Sequence, residues 1–404
     1  MFPVRTVVLG AFLPSLVFEI GVGAVLPIVP ITATGLGASL ALAGLMAALL
    51  PLGQLLADLP AGALAARLGD RGAMLLAGMV ATAGLAGCAL APSLGVLGVC
   101  VLLIGAANAV FNLARHAYLT EITPPLRRAR VLSTLAGVHR IGLFIGPFAG
   151  AAVIHGGDVR AAYWLALGTS LVATAVIAAV GPDRRPGDRP GGEGAPTPTR
   201  SLRSVLAEHR QVFATLGVAV LLVGAVRGAR QTVLPLWGEH LGLDPAVTSI
   251  IFGIAGGADM LLFYPAGKVM DSHGRLWIGI PAMLTMGAAM ALLPLTGTVG
   301  ALSAVAVLLG LGNGMSSGIL MTLGADTAPP GERAQFLGIW RMFQDGGAAL
   351  GPLVVAGGAA AGSLAAGVWV MAASGTAAAG ALGRWVPRWS VHANRTTRRR
   401  AGLL

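Results

Sequence analysis

Apolar residues in this chain fall into long runs, broken by short segments in which Gly, Pro, Asp and Arg concentrate. A bilayer core of about 30 Å needs roughly 20 apolar residues in a helix. Twelve runs reach that length, near residues 4–31, 39–64, 73–91, 94–118, 131–155, 161–181, 211–236, 246–267, 276–296, 299–325, 335–360 and 362–386. The pattern predicts an all-α membrane protein with 12 transmembrane helices, taken below in chain order as the first to the twelfth.

The polar punctuation repeats at an offset of 205 residues. Pro60-Ala61-Gly62 recurs as Pro265-Ala266-Gly267, Gly69 as Gly274, Asn108 as Asn313 and Glu121 as Asp326. Pro124-Pro125 recurs as Pro329-Pro330, Arg128 as Arg333 and Gly146-Pro147 as Gly351-Pro352. A constant register over so many marks predicts two pseudo-symmetric six-helix halves of like orientation, 1–181 and 211–386. Between them, 182–210 is rich in Pro, Gly and Arg and predicts a flexible cytoplasmic linker.

Composition agrees with lipid as the solvent: 55% of residues are hydrophobic, 11% are charged, and mean hydropathy is +0.80. The net charge of +11 would suit a nucleic-acid partner, but its placement has another cause. Counted by loop, 22 Lys and Arg fall on one side, and Arg160 stands alone on the other. That asymmetry predicts a multi-pass protein of the cell membrane with both termini cytoplasmic and no nucleic-acid role. The basic tail 387–404, with Arg398-Arg399-Arg400, reads as a topology anchor beside anionic membrane lipids. The first apolar run is too long for a signal-peptide core, so it is expected to stay in the mature protein. Cys88 and Cys100 have no metal-ligand spacing and read as small buried hydrophobes, with no cofactor or metal implied.

Two sets of motifs add to this. The loop between the second and third helices reads Gly62-x-x-x-x-Arg67-x-Gly69-Asp70-Arg71, and its repeat reads Gly267-x-x-x-Asp271-x-x-Gly274-Arg275. The fifth helix carries Gly142-x-x-x-Gly146-Pro147-x-x-Gly150, and the eleventh Gly347-x-x-x-Gly351-Pro352. Six helices, a linker and six more, with these loops, resemble the major facilitator superfamily of transporters. The fifth-helix motif resembles that of its drug and metabolite exporters.

The resemblance implies a tight glycine turn in each loop, with charges that latch the halves at the cytoplasmic rim. Here Ala66 stands where the family has Asp and Asp70 where it has Arg, so Asp271 is expected to carry the larger share. The helix-five and helix-eleven glycines are expected to shape both helices alike at the interface between halves. A further exporter mark, Arg-x-x-Gln-Gly in the fourth helix, is missing: Val101, Ile104 and Gly105 stand at its positions. Any proton coupling must use other groups.

Eight ionisable residues lie inside the apolar runs: Glu19, Asp58, Asp259, Asp345, Arg140, Arg227, Arg230 and Arg341. Each would cost about 2.5–3.5 kcal/mol facing lipid, so they are expected to face a cavity or one another. At about 1.5 Å per residue, Glu19 and Arg227 reach similar depth, past the midplane, with Arg230 one turn further out. Family architecture implies that Asp58 meets Arg341 and Arg140 meets Asp259 as gating pairs between halves, an alternative being that Asp58 and Arg341 snorkel to the interface. Glu19 is the first candidate for a proton site, with Arg227, Arg230 and Asp345 as further substrate-site candidates. His116 and His139 read as polar packing residues near the cytoplasmic ends.

No nucleophile–base pair, metal cluster or phosphate loop stands at one level, which argues against an enzyme. The expected function is export of a small, partly apolar molecule by proton antiport, in a monomer that needs no cofactor. Proton-coupled uptake and a transport-inactive sensor or scaffold are the rival readings.

Overall fold

The computed structural model describes residues 7–154, 158–179, 202–329 and 332–402. Arg5, Pro330 and the first part of the expected linker, 182–201, lie outside the described residues.

The described chain is a series of long helices. Eleven of them, among the described residues, are long and apolar enough to cross a membrane. The first path is a π-turn at Val8–Phe12, then α1 (Leu13–Val25), continued after Pro27 by Ile28–Gly35. Helix Leu40–Ala89 is two crossings joined at Gly69, where φ +75° and ψ 162° leave the helical path; they are α2 (40–68) and α3 (70–89). Then follow α4 (Leu94–Ile122), α5 (Pro125–Val153) and α6 (Arg160–Ala179). The second set is α7 (Val218–His240), α8 (Pro245–His273), α9 (Leu276–Leu292), α10 (Val299–Met315, resuming as Ile319–Thr327), α11 (Arg333–Ala360) and α12 (Leu364–Trp389). The 28-residue helix α11 is the twelfth of the set. Arg341 and Asp345 lie in mid-helix, so its composition sets it apart from the eleven.

The repeat is written into helix starts. Ser39 caps α2 and Asp244 accepts from the amides of Ala246 and Val247 at the start of α8. Ser93 caps α4 and Thr298 caps α10. Asp158 accepts from Arg160 N–H at the start of α6 and Ser363 caps α12. Each pair is 205 residues apart, and each side chain satisfies an amide that the first turn leaves without a partner. Gly37 and Gly242, at φ +87° and +66°, precede the first of these pairs at the same offset.

The chain divides into two compact units, Met1–Gly194 with Gly238–Gly253, and Ala195–Trp237 with Ile254–Leu404. In the first, Phe18 stacks on Phe111 at 4.6 Å, over an alanine-lined core that includes Ala61, Ala73, Ala81 and Ala114. Within it the hydroxyl of Thr34 also donates to Glu239 Oε1 at 2.8 Å. In the second, Met283, Met286 and Met290 of α9 are fully buried, and the Trp340 indole donates to Leu320 O at 2.8 Å.

Two segments depart from the expected boundaries. The end of the expected linker is ordered: Leu202–Glu208 is a helix with Val205 fully buried, and His209 Nε2 lies 3.3 Å from Glu332 Oε2. One apolar position per turn in a polar stretch is enough to dock a short helix. The basic tail also folds, as a helix Arg395–Arg400 whose Asn394 and Thr397 form a reciprocal capping box.

Candidate functional site

In the first unit a polar cluster is buried among α1, α4 and α5. Glu19 of α1 is fully buried. Its Oε1 lies 2.7 Å from Nδ1 of His139 on α5 and 3.5 Å from Nη1 of Arg115 on α4. Arg115 donates through Nη2 to Asn112 Oδ1, and Asn112 Nδ2 donates to Asn108 Oδ1 at 2.9 Å. Glu19 Oε2 has no hydrogen-bond partner among the described residues. Two basic groups therefore approach one carboxylate oxygen as ion pairs, and neither oxygen of Glu19 has a well-aligned hydrogen bond among the described residues. The His139 side chain is 34% exposed, against 0% for Glu19, so the histidine is the member of the pair that reaches outward.

The helices can carry this cluster because glycine lets them close on it. A Cβ on Gly142 would lie 2.6 Å from Glu19 Cβ, and one on Gly146 would meet the α1 backbone at Ile20, Gly23 and Ala24. Gly150 touches Ala24 in the same row. In the second unit Gly347 and Gly351 of α11 approach Leu221 and Ala225 of α7 in the same manner. These motif glycines, expected at the interface between halves, thus serve packing inside each unit.

The second unit holds a shorter relay. Arg227 Nε of α7 donates to Asn313 Oδ1 of α10 at 3.1 Å, and Asn313 Nδ2 donates to Asp259 Oδ2 of α8 at 2.8 Å. Asn313 is the repeat partner of Asn108, and each anchors the buried polar chain of its own unit. Just beyond Asn313, α10 unwinds at Ser316–Gly318, with Gly318 at φ +78°. Arg230 is buried one turn along α7. Arg341 Nε pairs with Asp345 Oδ2 at 3.2 Å on the face of α11. Asp58 and Arg140 are half-buried on α2 and α5. Asn313→Ala removes both bonds of the relay, and each unsatisfied buried polar group costs about 1–3 kcal/mol. A drop in the detergent melting temperature is expected, and also for Asn313→Asp, which keeps the acceptor for Arg227 but sets a second carboxylate against Asp259.

Glu19 thus finds its ion-pair partners within its own unit, whereas sequence reasoning set it against Arg227. Arg115 was missed because it was counted with the cytoplasmic loop charges, although it is only 2% exposed. The signal lay in Asn108, Asn112 and Arg115, which repeat every three to four residues on one face of α4. His139, read as a packing residue, contacts the central carboxylate.

The two loop motifs turn as glycine allows, with Gly69 at φ +75° and Gly274 at φ +108°. In the first, Arg71 donates to the carbonyls of Ile177 and Ala178 at 3.0 and 2.7 Å. In the second, Arg275 reaches Asp326 at 3.0 Å and Asp271 at 3.2 Å. Gly62 and Gly267 have open space around them, and Arg67 is exposed.

A family model described as Major Facilitator Superfamily matches residues 11–352. The chain belongs to this superfamily. Three solved members show the same fold around other sequences. The nucleoside transporter NupG superposes with TM-score 0.74 at 14% identity, over 93% of this chain and 98% of its own. A D-xylose-proton symporter gives TM-score 0.71 at 14% identity, over 94% and 97%. The human organic anion transporter MFSD10 gives 0.65 at 18%, over 94% and 100%. No curated protein sequence matches. Superfamily membership makes this a multi-pass membrane transporter and not an enzyme, while identities this low carry the fold alone. Among the described residues no group of three or more His, Cys, Asp or Glu could hold a metal ion.

Proposed function

We propose that this superfamily member exports a small, partly apolar molecule in exchange for protons, with Glu19 and His139 as the proton site and Arg115 as its counter-charge. The observation that carries this reading is the shared oxygen: His139 and Arg115 both face Glu19 Oε1, at 2.7 and 3.5 Å, deep in the first unit. A proton arriving on Glu19 weakens its hold on both bases, and a proton leaving through His139 restores it. The cluster therefore has two charge states with different internal contacts, which is what coupling requires. Support for export comes from the fifth-helix motif, because Gly142, its first glycine, is the residue that makes room for Glu19.

Arg227 and Arg230, with Asp345, form the substrate side of the proposal. Asp58, Arg341, Arg140 and Asp259 are its gating charges, and Asp271 and Arg275 its cytoplasmic latch. The charge asymmetry of the loops supports cytoplasmic termini in a cell membrane.

The test is reconstitution in liposomes carrying an internal pH reporter, under an imposed proton gradient, with a panel of lipophilic cations and organic anions. Antiport moves protons opposite to the compound, and symport moves both the same way. Proton movement with the compound refutes the export reading; labelled solutes that equilibrate without protons refute coupling. His139→Gln keeps a hydrogen-bonding side chain but removes the imidazole relay, and coupled flux is expected to fall by about 100-fold.

A further inference from the structure

The C-terminal tail engages the turn between α8 and α9 at both of its helix ends. The first amides of a helix and its last carbonyls have no partner within it. At the start of α9 the N–H groups of Arg275 and Leu276 donate to the carbonyls of His392 and Ala393, at 3.1 and 3.0 Å. At the end of α8 the carbonyls of Asp271 and Ser272 accept from Arg398 Nη1, at 2.8 and 3.1 Å. Each contact has the sign that the helix dipole favours, partial negative charge at a helix start and a guanidinium at a helix end.

The fit is close. A Cβ on Gly274 would lie 2.6 Å from Ala393 O and 2.8 Å from Asn394 Cα, and φ there is +108°. Ala393 is fully buried and Arg398 is 8% exposed. The tail also reaches the charges of the loop: Ser390 Oγ donates to Asp326 Oδ2 at 3.1 Å, the same oxygen that Arg275 Nε approaches at 3.0 Å. Arg275 in turn sends Nη1 to Asp271, whose side chain is 78% exposed. The corresponding turn of the first unit is held differently, by its own Arg71 on the last carbonyls of α6.

We propose that residues 390–400 are a positioning clasp for the cytoplasmic latch: they fix the α8–α9 turn so that Asp271 and Arg275 are held ready to engage. This rests on the reading of Asp271 and Arg275 as a latch. Arg398 and the His392–Ala393 backbone act through those residues and touch no substrate. Arg395, Arg399 and Arg400 of the tail are exposed.

Hydrogen exchange of the purified full chain tests the docking first. The amides of Arg275 and Leu276 are expected to be protected. Arg398→Gln, Gly274→Ala and deletion of 391–404 are each expected to speed their exchange at least about tenfold, leaving the interior of α9 unchanged. Rapid exchange of 391–400 in the intact protein, at the rate of an unstructured chain, overturns the clasp.

Spin labels at Ala66→Cys and Lys268→Cys, in a Cys88→Ala, Cys100→Ala background, then report the cytoplasmic distance between halves. Asp271→Asn and Arg398→Gln are expected to shift that distance distribution in the same direction. If Asp271→Asn shifts it and Arg398→Gln does not, the tail is packing alone and the clasp fails while the latch stands. If Asp271→Asn has no effect, the latch reading fails, and the clasp with it.

Discussion

Glu19→Gln is expected to reduce compound-triggered proton movement in proteoliposomes to the level of protein-free vesicles. Glutamine keeps the shape and one oxygen acceptor, so His139 and Arg115 retain a neighbour of similar size, but no proton can be exchanged at the centre of the cluster. The change also leaves the guanidinium of Arg115 buried without its carboxylate. Breaking a buried pair on one side costs about 3–5 kcal/mol, whereas replacing both partners by well-packed neutral groups is often close to neutral. This gives a way to separate coupling from collapse. Glu19→Gln alone is expected to lower the melting temperature, and Glu19→Gln with Arg115→Met to recover much of it without recovering proton movement. Proton movement that returns with the double change would place the coupling group elsewhere and sink the proposal.

The fold was legible in this sequence because lipid leaves the chain little choice. Backbone groups in the bilayer core must be satisfied within a helix, so apolar length predicts the crossings, and polar punctuation at an offset of 205 residues predicts two like halves. Gly69 and Gly274 were legible for a local reason, the positive φ that a tight turn demands. The site was less legible, since sequence places residues by depth but not by direction around a helix. Glu19 was found as a buried acid, yet its partners came from α4 and α5, set by how the glycine row of α5 seats against α1. Arg115 looked like a loop charge because the polar stripe at Asn108, Asn112 and Arg115 runs down to the C-terminal end of the apolar segment. Composition places Leu202–Glu208 in a flexible linker and makes the tail only a topology anchor, and both fold into short helices. Each is ordered by one or two buried side chains, too few to register in a window average.

The largest stability effects are expected at the two glycines that precede the helix prolines. At Gly146 an added methyl would sit 2.5 Å from Ile20 O and 2.7 Å from Ala24 N, and at Gly351 it would sit 2.6 Å from Ala229 N. The obstructing atoms are backbone of α1 and of α7, which no rotamer change can clear. One helix must move bodily off the other, and overpacking of this kind costs about 1–3 kcal/mol, occasionally more. Gly146→Val and Gly351→Val are therefore expected to lose most of the folded protein on size-exclusion chromatography in detergent, and the alanine variants to melt several degrees lower. Gly357→Ala on α11 supplies the control, because nothing lies within 4 Å of its Cβ position. There the better helix propensity of alanine should stabilise by up to about 1 kcal/mol. Packing alone predicts that transport in the surviving Gly142→Ala protein follows its folded fraction. The proposed site predicts more, because that methyl pushes on Glu19 itself: coupled flux per folded molecule should fall further at Gly142→Ala than at Gly351→Ala. Equal loss per folded molecule at both would assign the fifth-helix motif to packing and remove its support for export.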